Sequence, residues 1–149
     1  MTPPSVEFHE ETGGRLPATS VQPVLIEWIT ATIGRHGGTA GAINYIFCGD
    51  DYLHALNVEY LDHDTLTDII TFPYDTFPRV TGDLFISTER VADNARELGN
   101  DYRDELHRVI IHGVLHLCGY GDKSTEEAVA MRNLEEEALL LRPVALLRS

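Results

Sequence analysis

The sequence predicts an α+β fold: a small mixed sheet of about four strands, packed with helices around one central, buried helix. Three observations predict it. Short β-branched runs and helical stripes mix along the chain without the regular alternation of a parallel α/β fold. The segment from Asp101 to Leu117 carries Leu106, Val109, Ile110, Gly113, Val114 and Leu117, a stripe so apolar that the helix must be largely buried. At 149 residues, with 43% hydrophobic and 23% charged residues, the chain has the composition of one ordinary globular domain, 1–149.

Taken in order, Val6–Phe8 alternates apolar and polar residues and predicts a short edge strand, followed by a turn-rich stretch through residue 20. Pro23 suits a first helical turn, with Val24, Leu25, Trp28, Ile29 and Ile33 on one face. The glycine-rich run Gly34–Gly41 ends that helix, and Ala42–Cys48 reads as a buried strand. Asp50 is positioned to cap a helix carrying Leu53, Leu56, Asn57 and Tyr60. LTDIITF, residues 66–72, is a strand closed by Pro73, and Gly82–Ser87 is another. Ser87 or Thr88 starts a helix ending near Gly99; Asp101 starts the apolar one, which Gly119 stops. Ser124 and Glu127 form the capping box of a last helix reaching about Leu140.

Composition excludes several classes. No stretch approaches the ~18 apolar residues of a membrane span, and the first residues lack the pattern of a secretion signal. Cys48 and Cys118 make no disulfide framework, so a reducing cytoplasm is the expected home. The formal net charge of −13, with Lys123 the single lysine, is opposite to the basic footprint of a typical nucleic-acid binder. Contact with RNA would have to be local, short or delivered by a partner. Arg79, Arg90, Arg96, Arg103 and Arg108 are the cations from which a local patch could be assembled.

The chemistry concentrates in HGVLHLCGYGD. His112 and His116 are four apart on one helix, so both imidazoles project from one face and can share a metal ion. After Gly119 a turn with a second glycine, Gly121, can fold back and bring Asp122 to the same ion. Two imidazoles and one carboxylate with an open fourth position is a layout of catalytic zinc. The bland alternative is a pair of core histidines bonded to their surroundings. Zinc proteases use H-E-x-x-H with Glu as general base; here position 113 is glycine, which counts against peptide hydrolysis. A metal-activated water, its pKa lowered to roughly 7, could instead attack a phosphodiester.

HGVLHLCGYGD, with LTDIITF upstream, resembles the YbeY family of bacterial endoribonucleases, and INYIFCGDDYLHALNVEYL, HDTLTDIITF, GDLFIST and ELHRVIIHGVLHLCGY fall in that family's order and spacing. The resemblance implies a zincin-like fold, one divalent metal ion (Zn2+ in the first instance) and single-strand-specific RNA cleavage in rRNA 3′-end maturation and ribosome quality control. The partners it implies are an rRNA precursor, the small ribosomal subunit and an Era-type assembly GTPase. By position His112 and His116 match the family's first two histidines, and Asp122 stands where most members have a third. Leu61 stands where many members carry a phosphate-holding arginine, and Lys123 is the candidate substitute; its alternative is a surface pairing with Glu126 or Glu127. The rival functions are a non-catalytic assembly factor with a structural metal and a metallopeptidase.

Asp68 could orient a ligating histidine from behind or hydrogen-bond to backbone at a strand end. His63 lies in a polar loop, where an exposed imidazole is the default and acid/base work the alternative. His107 is spaced away from the site and reads as structural. Cys118, two residues past His116, is rotated to the opposite helix side and reads as a buried thiol.

Overall fold

A computed structural model describes residues 5–62 and 67–148. His63, and Leu66 at the start of LTDIITF, lie outside the described residues. The elements run β1 (Ser5–Glu10), α1 (Gln22–Arg35), β2 (Thr39–Cys48), α2 (Asp50–Leu61), β3 (Ile69–Pro73), β4 (Arg79–Ser87), α3 (Thr88–Leu98), α4 (Tyr102–Leu117) and α5 (Thr125–Leu140), with a short 3₁₀ turn over Val144–Arg148. The four strands form one mixed sheet of order β1-β2-β4-β3; β1 and β4 are parallel to β2, and β3 is antiparallel to β4.

Side-chain alternation along the strands gives the sheet two different faces. One face presents Val6, Ile43, Tyr45, Phe47, Leu84 and Ile86, all buried beneath α1 and α4. Along α4, Leu106, Val109, Ile110, Ile111, Gly113, Val114, Leu115 and Leu117 are buried, which is the central helix the apolar stripe predicts. Tyr45 donates from its hydroxyl to the Ile110 carbonyl at 2.9 Å, fixing α4 over the sheet centre. The opposite face is covered only in part, by α2, through Leu53 against Cys48 and Ile70.

Local chemistry explains the boundaries. Ser87 accepts from the Arg90 amide and caps α3, Gly99 ends it at φ 70°, and Ser124 and Glu127 form the reciprocal capping box of α5. The cap of α2 is Gly49 rather than the expected Asp50. Asp50 is drawn away as the first helical residue: its carboxylate accepts from the Ser87 hydroxyl at 2.8 Å and from Arg90 at 2.9 Å. Among the described residues no helix is long and apolar enough to cross a membrane.

Candidate metal centre

Helix α4 ends in a Schellman motif. Gly119, at φ 99°, donates its amide to the His116 carbonyl at 2.9 Å, and Tyr120 donates to the Leu115 carbonyl at 3.1 Å. The left-handed step at Gly119 reverses the chain, so that Asp122 returns over the last turn of the helix. Its Oδ2 lies 3.4 Å from His112 Nε2 and 3.5 Å from His116 Nε2. The two imidazoles meet edge to face, with centroids 4.6 Å apart.

These distances fit a metal ion. Donors at about 2.0–2.1 Å from a tetrahedral centre stand about 3.3–3.4 Å from each other. The three ligand atoms of His112, His116 and Asp122 all fall within 4.8 Å of one another, and among the described residues no fourth such donor joins them. The site opens into a cleft of about 750 Å3 along the free edge of β3. Asn57 and Leu61 of α2 line it together with His112, His116, Asp122 and Lys123.

The group behind the ligands is Glu135, which the sequence reading missed. Its Oε2 lies 2.7 Å from His112 Nδ1, and its Oε1 accepts from Arg108 at 3.0 Å. Burial works to lower the His112 pKa, but the Glu135 hydrogen bond and charge, with Asp122 and Asp68 beyond, raise it overall. Burial likewise works to raise the Glu135 carboxyl, and its bonds to His112 and Arg108 hold it below the usual value. A signal was present: Met131, Leu134, Glu135 and Ala138 share one helical stripe, so a carboxylate sits among core positions. Glu135 rather than Asp68 therefore has the contact that orients the His112 ring. Burial raises the Asp68 pKa, only partly opposed by the His112 charge and the nearby backbone amides of Asp68 and Ile69. Asp68 lines the cleft beside His112.

The other candidates sort clearly. Lys123 lines the cleft and makes no ion pair with Glu126, Glu127 or any other described carboxylate. The arginine patch does not assemble, because each member is matched to carboxylates: Arg79 to Asp75, Arg90 to Asp50, Arg96 to Asp93, Arg103 to Asp101 and Asp104, Arg108 to Glu135 and Glu136. Arg132, which the sequence reading passed over, lines a recess with His112, Asp122, Asp68 and Glu135, and has no carboxylate partner among the described residues. His107 is buried against Trp28, and Cys118 is buried with its thiol pushed up to about 11.

Gly113 has a steric reason to be glycine. A Cβ there would stand 2.3 Å from Leu84 Cδ2 and 2.7 Å from Ile69 Cδ1, because α4 lies hard against the sheet at this point. The position that bears the general base in H-E-x-x-H proteins is here a helix–sheet contact.

Fold and site together define a small α+β protein whose central helix and following turn bring together two histidines and a carboxylate that could hold a metal ion. The chain belongs to the YbeY family: residues 10–141 match the family described as Endoribonuclease YbeY. It is 50% identical over 115 residues to the protein named Endoribonuclease YbeY of Flavobacterium johnsoniae, covering 77% of this chain and 83% of that one. With the protein of the same name from Porphyromonas gingivalis strain ATCC 33277 the identity is 52% over 115 residues, covering 77% and 76%. The solution structure of TM1509 from Thermotoga maritima superposes with a TM-score of 0.62 at 29% identity, covering 89% of this chain and 88% of that one.

Proposed function

We propose that this chain is a metal-dependent endoribonuclease that hydrolyses phosphodiester bonds in single-stranded RNA. The observation that carries the reading is the position of Asp122 Oδ2, 3.4 and 3.5 Å from the two Nε2 atoms, in a cleft open to a strand-shaped substrate. His112, His116 and Asp122 would hold one divalent ion, with Zn2+ the first candidate for a nitrogen-rich set of three. When bound, such an ion supplies Lewis acidity and makes a coordinated water acidic near neutral pH.

The chain's own residues do the rest. Glu135 accepts from Nδ1–H of His112, which leaves the Nε2 lone pair facing Asp122, free for an ion that the three residues would hold. Lys123 and Arg132, each lining a recess shared with His112 and Asp122, supply positive charge for phosphate where Leu61 cannot. Family membership supports the finer reading: action on rRNA precursors in 3′-end maturation and ribosome quality control in the cytoplasm, in company with the small ribosomal subunit and an Era-type GTPase.

Elemental analysis of wild type, His116→Ala and Asp122→Ala, with RNA cleavage on the same samples, tests the proposal. Near-stoichiometric metal in wild type, with metal and cleavage both lost in the variants, is the expected result. Metal lost with cleavage unchanged would make the ion structural and favour an assembly factor. Cleavage of casein with RNA left intact would favour a peptidase.

A further inference from the structure

The half-covered face of the sheet holds a second recess that the metal centre does not use. Tyr52, Leu56, Tyr60, Phe72, Tyr74, Asp83 and Phe85 enclose about 430 Å3. Its rings are already arranged as a ladder: Tyr52 stacks on Phe85 at 6.3 Å, Phe72 meets Phe85 edge to face at 5.7 Å, and Tyr60 meets Phe72 at 6.1 Å. Tyr60 and Tyr74 are each 61% exposed, unusual for aromatic side chains with apolar neighbours so close.

The recess adjoins the metal cleft across the edge strand β3. Along β3 and into the next residue, Thr71 and Pro73 line the cleft while Phe72 and Tyr74 line the recess; at the end of α2, Leu61 lines the first and Tyr60 the second. One strand, β3, divides them. A polymer whose backbone lies in the cleft can therefore place a side group over the β3 edge into the rings.

Asp83 is the charged residue among those that line the recess. Asp83 accepts from the Asn44 amide at 3.1 Å on Oδ1 and from the Tyr74 hydroxyl at 2.8 Å on Oδ2, which leaves acceptor capacity on both oxygens. Flat rings with an acceptor-only carboxylate suit a flat heterocycle that carries N–H donors, and repel a phosphate.

We propose that this recess binds an unpaired, amino-bearing nucleobase (adenine, cytosine or guanine) of the RNA strand held in the cleft, stacking it on Tyr60 and Tyr74 with its amino edge to Asp83. The assignment rests on the endoribonuclease reading for the identity of the strand. Stacking on aromatic side chains gives affinity without needing the basic surface this chain lacks. Uracil, whose Watson–Crick edge presents one N–H between two carbonyls, is the base the carboxylate disfavours.

The test is equilibrium binding of labelled twelve-residue oligo(A), oligo(C) and oligo(U) RNA to the full chain at one fixed salt concentration, with chelator to keep the strands intact. Tyr60→Ala, Tyr74→Ala, their double variant and Asp83→Asn are compared with wild type. Each exposed tyrosine should be worth about tenfold in affinity, oligo(A) and oligo(C) should bind ahead of oligo(U), and Asp83→Asn should erase that preference. Wild-type affinity for all three strands in the double variant would overturn the proposal; that is the result if the recess takes a protein segment instead. Cleavage by metal-loaded wild type is scored separately, so an inert enzyme that still shows tyrosine-dependent binding would sink the nuclease reading and leave the base site standing.

Discussion

His112 and Glu135 are joined at 2.7 Å between Nδ1 and Oε2, and the Arg108 guanidinium holds the other oxygen of the same carboxylate at 3.0 Å. The imidazole thus has one nitrogen committed to a buried acid on α5 and the other aimed at Asp122. A carboxylate behind a ligating histidine fixes its tautomer and raises its basicity, and losing it costs about 10–100-fold in metal affinity. Glu135→Ala should show that loss in a chelator-competition titration. Glu135→Gln, which keeps a carbonyl acceptor for Nδ1–H, should recover part of it. Equal affinity for wild type and both variants would reduce the contact to a helix–helix tie.

Gly113 supports a different kind of prediction. Introducing Glu to recreate H-E-x-x-H would drive a charged side chain against Leu84 and Ile69 at the helix–sheet contact. Gly113→Glu should lose at least about 2 kcal/mol of stability in urea unfolding, from overpacking and an unpaired buried charge. It should gain no hydrolysis of casein. A stable variant with peptidase activity would show that the helix can lift off the sheet and that the glycine is a matter of chemistry.

The contrast between these two residues shows what could be read before folding. The pairing of His112 with His116 is a property of one helical turn, and the return of Asp122 is a property of a glycine-terminated helix; both are local and so legible. The alternation of β-branched runs, the Ser87 and Ser124 caps and the apolar α4 stripe are local too. Glu135 was not legible as a partner, since its meeting with His112 depends on how α4 and α5 cross, 23 residues apart. Arg90 and Arg108 failed for the same reason: Arg90 beside Asp50 is a contact over 40 residues and Arg108 beside Glu135 one over 27, and no spacing rule announces either. Asp50 looked like a cap because its competing partners come from a different strand and helix.

Lys123 and Arg132 are the cations nearest the ligands without a carboxylate partner among the described residues. If they meet phosphate, Lys123→Gln and Arg132→Gln should each weaken RNA binding across sequences alike and lower the slope of log affinity against log salt by about one. Metal content should stay at the wild-type level in both, because neither supplies a ligand atom. An unchanged salt slope in the double variant would place the phosphate contacts elsewhere.

His107 ties stability to pH. It is 2% exposed, its ring packs on Trp28, and Arg142 donates to its Nδ1 at 2.9 Å, so the neutral ring carries its proton on Nε2. Burial, reinforced by the Arg142 charge and only partly opposed by Asp104, pushes its pKa down to about 4. In the unfolded chain the imidazole titrates near its ordinary 6.5. Between those values the unfolded state binds the proton and the native state does not, so stability falls as pH drops from about 6.5 to about 4. The full span corresponds to about 3 kcal/mol for this one group. His107→Gln retains an acceptor for Arg142 and removes the titration. The difference in unfolding free energy between wild type and variant should therefore be flat above pH 7 and shift by about that amount, against wild type, on acidification to pH 4. A difference that stays constant across the range would mean that the buried ring opens to solvent and protonates in the native protein.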